Sequence, residues 1–189
     1  MITHTYPART EQRGIVLVSS LLLLLVVTII ALSMFRSFGI QEKIAGNMRE
    51  KQRALQAAVS VQQYAEWWLT TPTGSTTPTT VCSAPENANL GEGQICTLPP
   101  SNVTTVPWAI GVSYTPSGMA VGSSTGLLNN PSYYGAPTFY ITDIGPSVDA
   151  SIPGEIYKVD AMAYGGNSNT VAVVESTFAV YSSSANRTL

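Results

Sequence analysis

The chain has 189 residues, only 11% of them charged, and a formal net charge of −2, which suits one compact domain plus an extended element. The charge is uneven, because residues 36–53 hold five basic and two acidic residues whereas residues 54–189 hold two basic and eight acidic ones. An acidic second part without a Lys/Arg cluster argues against nucleic acid as a partner of that part alone, since such affinity rests on cations that contact phosphates.

The first predicted element is an apolar helix over residues 15–35, a stretch that contains no charged residue. A helix of that length spans about 31 Å, which is the thickness of a bilayer core. Its polar side chains can hydrogen-bond to the preceding helical turn and are therefore compatible with insertion. They are Ser19, Ser20, Thr28 and Ser33. We predict a membrane-spanning segment here.

Two observations keep alternatives open for this segment. Arg9 and Arg13 precede the apolar run and Ala31 to Ser33 resembles a cleavage site, so a removable secretory signal is one alternative. The flank after the run is the more basic one, which by charge alone would place the remaining chain in the cytoplasm. The sparsely charged, Ser/Thr-rich second part and its two cysteines favour the outside instead.

Residues 36–70 are predicted to continue the helix with one apolar face, because their apolar residues recur at intervals of three and four. Gly39 and Gly46 are the points at which such a helix bends or unwinds most easily. Pro72 ends the pattern, which places the end of the helix near residue 70. The predicted apolar face consists of Ile40, Ile44, Met48, Leu55, Ala58, Ala65 and Leu69.

Residues 71–107 are rich in Thr, Pro, Gly and Asn and are predicted to connect the helix to a sheet irregularly. They contain both cysteines, Cys82 and Cys96. A single pair in a secreted type of loop predicts a disulfide, worth about 3 kcal/mol on chain-entropy grounds, and an oxidising compartment. Two reduced thiols are the alternative. The absence of a CxxC motif and of a nearby His argues against a metal or redox centre.

The last part, residues 108–189, is predicted to be a β-rich head. Within the last strand Ala172, Val174, Phe178 and Val180 share the side that should face the helix. The residues 165–169, Gly-Gly-Asn-Ser-Asn, predict a hairpin turn. The fold class is therefore α+β, with about four antiparallel strands packed on a long helix. The predicted strands are Trp108–Tyr114, Thr138–Ile144, Glu155–Tyr164 and Val171–Tyr181.

A resemblance to a known family adds to this interpretation. The junction from Glu11 to Gly14, followed by the apolar run from Ile15, resembles the leader and cleavage site of type IV prepilins. The resemblance implies that residues 1–14 are a leader, that a prepilin peptidase cuts after Gly14, and that Ile15 is N-methylated. The block from Gln41 to Arg49, QEKIAGNMR, is similar to PilX-type minor pilins.

This family resemblance implies a pilin-like fold and a non-enzymatic minor pilin that helps to initiate type IV pilus assembly, supporting attachment or twitching motility. The implied partners are other minor pilins, the major pilin, the prepilin peptidase, the assembly platform and the inner membrane before assembly. The head would be periplasmic first and lie on the pilus later. Major pilins have Glu as the fifth mature residue, whereas this chain has Ser19 there, which suggests a place at or near the tip. The alternative is that Ser19 merely packs and that the subunit is scattered along the fibre.

The sequence predicts neither an enzymatic activity nor a cofactor. The only histidine, His4, lies in the presumed leader, which excludes a catalytic triad from the mature chain. Four acids in the head could hold calcium, but their spacing matches no EF-hand loop and a solvated surface is the better interpretation. They are Asp143, Asp149, Glu155 and Asp160.

The aromatic residues near the end of the helix and in the head are predicted to pack in the core rather than to form an adhesive surface. They are Trp67, Trp68, Tyr133, Tyr134, Phe139 and Tyr140.

Two other functions remain open: a minor pseudopilin of a type II secretion system, and a membrane-anchored adhesin that never enters a fibre.

Overall fold

A long helix precedes a β-rich region, in the order that the sequence predicts. The computed structural model describes residues 13–122, 132–148 and 153–181. The chain divides into two compact units, Met1–Asn47 and Met48–Leu189. The elements are α1 (Arg13–Thr70), α2 (Pro72–Thr76), β1 (Pro85–Asn87), β2 (Ile95–Cys96), β3 (Gly111–Ser113), β4 (Thr138–Pro146), β5 (Gly154–Tyr164) and β6 (Val171–Tyr181).

Helix α1 ends where the sequence predicts and is helical at both of its internal glycines, Gly39 and Gly46. Its end is set by Thr71, whose extended backbone (φ −74°, ψ 156°) leaves the helical region and caps α2. The hydroxyl of Thr71 accepts a hydrogen bond from the amide of Gly74 at 3.1 Å, and Pro72 occupies the first turn of α2. Pro72 therefore starts a second, short helix as well as stopping the first.

The six-stranded sheet has the order β1-β3-β4-β5-β6, with β2 paired to β4. Pairing is antiparallel from β3 to β6 and parallel for β1 with β3 and for β2 with β4. The α+β class, a long helix on a sheet, is confirmed. The sheet is larger than the four strands expected and is mixed, because β1 and β2 arise in the stretch predicted to be irregular. Strands of two or three residues are too short to show an alternating pattern.

The hairpin of β5 and β6 is the most regular part of the sheet and lies where the sequence predicts. Its register pairs Gly154 with Tyr181 at one end and Tyr164 with Val171 at the other. The amide of Gly165 donates to the carbonyl of Thr170 at 2.8 Å and closes the turn. The short loop thus fixes the register of two eleven-residue strands.

The larger hydrophobic core lies between the last three turns of α1 and one face of the sheet. Trp68 and Phe139 are its largest fully buried side chains. The predicted inner face of β6 is confirmed, since Val174, Phe178 and Val180 pack against this cluster. The buried residues are Val61, Tyr64, Ala65, Trp68, Leu69, Ile95, Val112, Phe139, Ile141, Tyr157, Val159 and Ala161.

A second, smaller core cluster consists entirely of alanines. Ala54, Ala57 and Ala58 of α1 are buried together with Ala163 of β5 and Ala172 of β6. The methyl side chains let the helix lie close to the sheet, because little side-chain volume separates the two backbones. Any larger residue here would overpack the contact, which costs about 1–3 kcal/mol.

The predicted apolar face of α1 is only partly right. Ala58, Ala65 and Leu69 are buried as predicted, whereas Leu55 is 46% and Met48 59% exposed. Ile40 and Ile44 are exposed as well. The periodicity weights large side chains, but the face that packs on the sheet begins with small residues that carry little hydrophobic signal.

The central strands β4 and β5 are buried on both faces of the sheet rather than on one. Consecutive residues from Thr138 to Thr142 and from Val159 to Ala163 are all buried. On the face away from α1 the hydroxyl of Tyr140 donates to the carbonyl of Leu98 at 2.6 Å. The chain following β2 therefore crosses this outer face.

Candidate functional site

The apolar stretch of α1, residues 15–35, presents its side chains outward over its whole length. Its large hydrophobic residues range from 47% exposed at Leu25 to 72% exposed at Phe35. By length and composition α1 is able to cross a membrane, and the most apolar window of this helix has no buried residue in the described chain. An apolar surface of this extent is unstable in water and requires lipid or other protein around it.

One face of this helix carries a shallow groove between its leucines and valines. The hydroxyl of Ser19 donates to the carbonyl of Val16 at 3.0 Å, and that of Ser20 donates to Leu17 at 2.9 Å. The hydroxyls are therefore satisfied within the helix, and a small side chain at these positions lets another helix come close. The groove is lined by Val16, Ser19, Ser20, Leu23, Leu24, Val27 and Thr28.

The two residues of the predicted processing site lie in the first turn of α1. A Cβ atom added at Gly14 would meet nothing within 4 Å, and Ile15 is 67% exposed. Cleavage and N-methylation stay predictions. The other leader residues named above, His4, Arg9, Glu11 and Gln12, lie outside the described residues.

The predicted disulfide is present and joins Cys82 to Cys96, with their Cα atoms 5.5 Å apart. Cys96 is buried in β2, opposite Thr142 of β4. Thr80 anchors the other side of the loop, since its amide donates to the carbonyl of Ile95 at 2.9 Å. The disulfide therefore closes a loop of 15 residues onto the sheet next to the larger core.

This closed loop, residues 82–96, holds the last turns of α1. The indole N–H of Trp68 donates to the carbonyl of Gly91 at 3.0 Å, and the hydroxyl of Tyr64 donates to the carbonyl of Glu92 at 2.8 Å. A Cβ atom at Gly93 would lie 2.7 Å from the Trp68 ring, so only glycine permits the loop to approach so closely. Burial raises the pKa of Tyr64, whose hydroxyl stays neutral.

Glu50 and Arg53 of α1 form a polar cluster, here called the polar clasp, that connects the helix to the turn between β5 and β6. The amide of Gly166 donates to Oε2 of Glu50 at 2.6 Å, and Arg53 bonds Oε1 of Glu50 at 2.9 Å. The Arg53 guanidinium lies 4.9 Å from the centre of the Tyr133 ring and also donates to the carbonyl of Ser132. Burial acts to raise the pKa of Glu50, but these hydrogen bonds and the cation lower it overall.

The aromatic residues divide between core and surface. The core interpretation is right for Trp68, Phe139 and Tyr140, which are 0%, 0% and 2% exposed. It is wrong for Trp67 and Tyr134, which are 48% and 56% exposed. Tyr133 is half-buried under Arg53. Adjacent helical residues point about 100° apart, which is why Trp67 and Trp68 have opposite environments.

The described acids among the four considered for calcium do not converge on one site. Asp143 and Glu155 lie near Tyr157, whereas Asp160 points to the outer face of the sheet beside Lys158. Asp149 lies outside the described residues. Within the ranges that the structure describes, no group of three or more His, Cys, Asp or Glu side chains could hold a metal ion.

Sequence reasoning missed the clasp and the close loop. Glu50 and Arg53 read as ordinary solvated charges of an amphipathic helix, and only the i,i+3 spacing hinted at a pair. Gly93 is one of 15 glycines and nothing in the sequence distinguishes it. Both depend on chain segments far apart in sequence, so local patterns do not reveal them.

The comparisons with known proteins bear on the N-terminal segment. Residues 13–58, about a quarter of the chain, match the family model described as PilX N-terminal. No curated protein and no solved structure is significantly similar to the chain. The match covers the apolar stretch, its groove and the clasp residues of α1, and it confirms the resemblance to PilX-type minor pilins. Residues 13–58 are thus similar to the N-terminal segment of PilX-type minor pilins, which supports a type IV pilus-related pilin.

Proposed function

We propose that this protein is a structural minor pilin, without enzymatic activity, that helps to initiate assembly of a type IV pilus. The observation that carries the proposal is the exposed apolar stretch of α1 within the segment matched by the family model. Such a helix serves first as a membrane anchor and then packs among the helices of other subunits, because both environments bury the same apolar surface.

Assembly would begin with removal of the leader. A prepilin peptidase cuts between Gly14 and Ile15 and methylates the new terminus, while the helix beyond remains intact for packing. Before assembly the protein is anchored in the inner membrane with its head in the periplasm, an oxidising compartment that suits the disulfide of Cys82 and Cys96. Its partners are the assembly platform, other minor pilins and the major pilin.

The residue at the fifth position after the cleavage site supports a place at or near the tip. A Glu there would neutralise the terminal amine of the subunit above, since an unpaired ammonium in an apolar bundle is costly. This chain has Ser19, whose hydroxyl already bonds the carbonyl of Val16. A subunit without that carboxylate gains nothing from a neighbour above it.

Processing tests the pilin route directly. Intact mass and N-terminal peptides of the membrane-extracted protein, with and without prepilin peptidase, should show loss of residues 1–14 and a methyl group on Ile15. Gly14→Leu should block the cut, because glycine suits a narrow peptidase cleft. Gly39→Leu is the matched control, as a Cβ at either glycine meets no atom within 4 Å. An unprocessed wild-type chain would instead indicate a membrane-anchored adhesin.

Placement is tested separately by Ser19→Glu. If the missing carboxylate determines the position, the variant should be found along the filament below other subunits rather than at its end, by gold labelling of sheared pili. Ser20→Glu lies in the same groove one residue further on and should not redistribute the label. Equal labelling patterns for wild type and Ser19→Glu would contradict the proposed tip role while leaving the pilin route intact.

A further inference from the structure

Asp160 is a fully buried carboxylate that lacks ordinary hydrogen-bond partners. Its side chain is 0% exposed, and neither Oδ1 nor Oδ2 has a hydrogen bond within the described part of the chain. It lies on the outer face of the sheet, in register with Tyr140 of β4 and Glu175 of β6. An ionised carboxylate buried in this way is expensive, because burial removes its water without supplying donors.

Among the described residues, one cation lies near this carboxylate, and it is shared. The ammonium of Lys158 lies 2.7 Å from Oε2 of Glu175 but 3.6 Å from Oδ1 of Asp160, so it bonds Glu175 first. Glu175 is 55% exposed and Lys158 25% exposed, so both reach solvent while Asp160 does not. Two carboxylates thus face one ammonium, which leaves one negative charge in excess in a buried place.

In the part of the chain that the structure describes, no second cation is paired with Asp160. Tyr140 faces it from β4 and donates its hydroxyl proton to the carbonyl of Leu98 rather than to the carboxylate. Residues 97–107, which follow β2 and cross the outer face, contain no titratable side chain. The groups that face Asp160 are therefore Tyr140 from β4, Lys158 from β5 and Glu175 from β6.

We propose that Asp160 is a proton-binding site that takes up a proton in mildly acidic solution and then donates a hydrogen bond to the carboxylate of Glu175, so that the head is more stable in mild acid than at neutral pH. Protonation removes the excess charge and turns an unsatisfied acceptor into a donor whose acceptor stands on the neighbouring strand. The device is independent of how the helix is processed or packed.

The electrostatics agree with this geometry. Burial raises the pKa of Asp160 from 3.8 to about 6, against the lowering effect of Lys158. The hydrogen bond from Lys158 lowers the pKa of Glu175, which keeps that carboxylate ionised as the acceptor. Between pH 3.8 and about pH 6, the native state holds a proton on Asp160 that the unfolded state has lost. The free energy of unfolding therefore falls as the pH rises through that window.

The test is the thermal midpoint of the full chain in detergent micelles, followed by circular dichroism at about pH 5 and about pH 7.5. The wild type should unfold about 5 °C lower at the higher pH. Asp160→Asn, which carries no charge, should remove most of that difference and raise the midpoint at neutral pH. Glu155→Gln on the same strand is exposed and should retain the wild-type difference.

A second measurement applies even if Asp160→Asn fails to fold. The carboxyl carbon of Asp160 in the wild-type protein, followed by NMR, should titrate with a midpoint near 6. A titration midpoint at or below the ordinary value of 3.8 would overturn the proposal. So would a wild-type unfolding temperature that is higher at the higher of the two pH values.

Discussion

Two stretches of helix α1 both carry apolar residues but lie in opposite environments. Residues 15–35 expose every large side chain by about half or more, whereas the residues from Ala54 to Leu69 bury one face completely against the sheet. The second stretch is covered by the sheet, whereas the first stays exposed in the described part of the chain. A hydrophobic pattern therefore predicts that a surface must be covered, but the rest of the chain decides whether the cover is internal or external.

The adjacent tryptophans Trp67 and Trp68 give the largest contrast within this comparison. Trp68→Ala should lower the free energy of unfolding of the head by about 3–5 kcal/mol, because it empties the core and releases the loop at Gly91. Trp67→Ala should change it by less than about 1 kcal/mol, since the ring is half exposed. Denaturant unfolding of the full chain in micelles, followed by circular dichroism, measures both. Equal losses would contradict the buried role assigned to Trp68.

A charge in the uncovered stretch should affect anchoring and leave the head unchanged. Leu24→Arg should raise the free energy of membrane insertion by about 3 kcal/mol at the centre of the span. Carbonate extraction of membranes should then release part of the protein, while the head unfolds at the wild-type denaturant concentration. Leu55→Arg is the control, because Leu55 is exposed but lies beyond the apolar stretch. A loss of head stability in Leu24→Arg would remove the distinction between the two stretches.

The disulfide strengthens the covered stretch through the loop of residues 82–96. Replacing both Cys82 and Cys96 by Ser should lower the free energy of unfolding by about 3 kcal/mol, as the unfolded chain gains the entropy of the opened loop. Reduction of the wild type with a thiol should reproduce the same loss in the same unfolding assay. An unchanged stability after reduction would mean that the hydrogen bonds to Trp68 and Tyr64 hold the loop without it.

The smallest expected effect lies at the polar clasp. Glu50→Gln should lower the free energy of unfolding by about 1–2 kcal/mol, because the amide replaces a charge-assisted acceptor for Gly166 and Arg53. The lowered pKa of Glu50 gives the sign of the pH effect. The stabilisation is fully present above the ordinary value of 4.5 and is lost as the pH falls through the lower native value.

Glu42→Gln, on the same helix but exposed, is the matched control for the clasp. It should leave both the stability and its acid dependence unchanged. If Glu42→Gln reproduced the effect of Glu50→Gln, the loss would reflect the general charge of the helix rather than the clasp.

The parts of the fold that the sequence predicts well are those with a strong local signal. The apolar stretch from Ile15, the end of α1 before Pro72 and the hairpin around Gly165 each depend on residues close together in the chain. Nearby residues determine helices, stops and tight turns, so these features do not require knowledge of the rest of the fold.

The features that the sequence does not predict depend on distant segments. The buried face of α1 begins with Ala54 and Ala57 because Ala163 and Ala172 oppose them, and small residues carry too little hydrophobic signal to mark that face. The short strands β1 and β2 form because β3 and β4 are there to pair with them. Asp160 reads as a solvated acid, although the outer face of the sheet is covered.

The closed loop of residues 82–96 also affects how the head responds to proteases. A single cut between Cys82 and Cys96 breaks the backbone, but the disulfide keeps the two pieces joined. The nicked loop would still hold Gly91 and Gly93 next to Trp68, because both lie inside the bridge. The cut would therefore become apparent only when a reductant separates the fragments, so the head can be cut without coming apart.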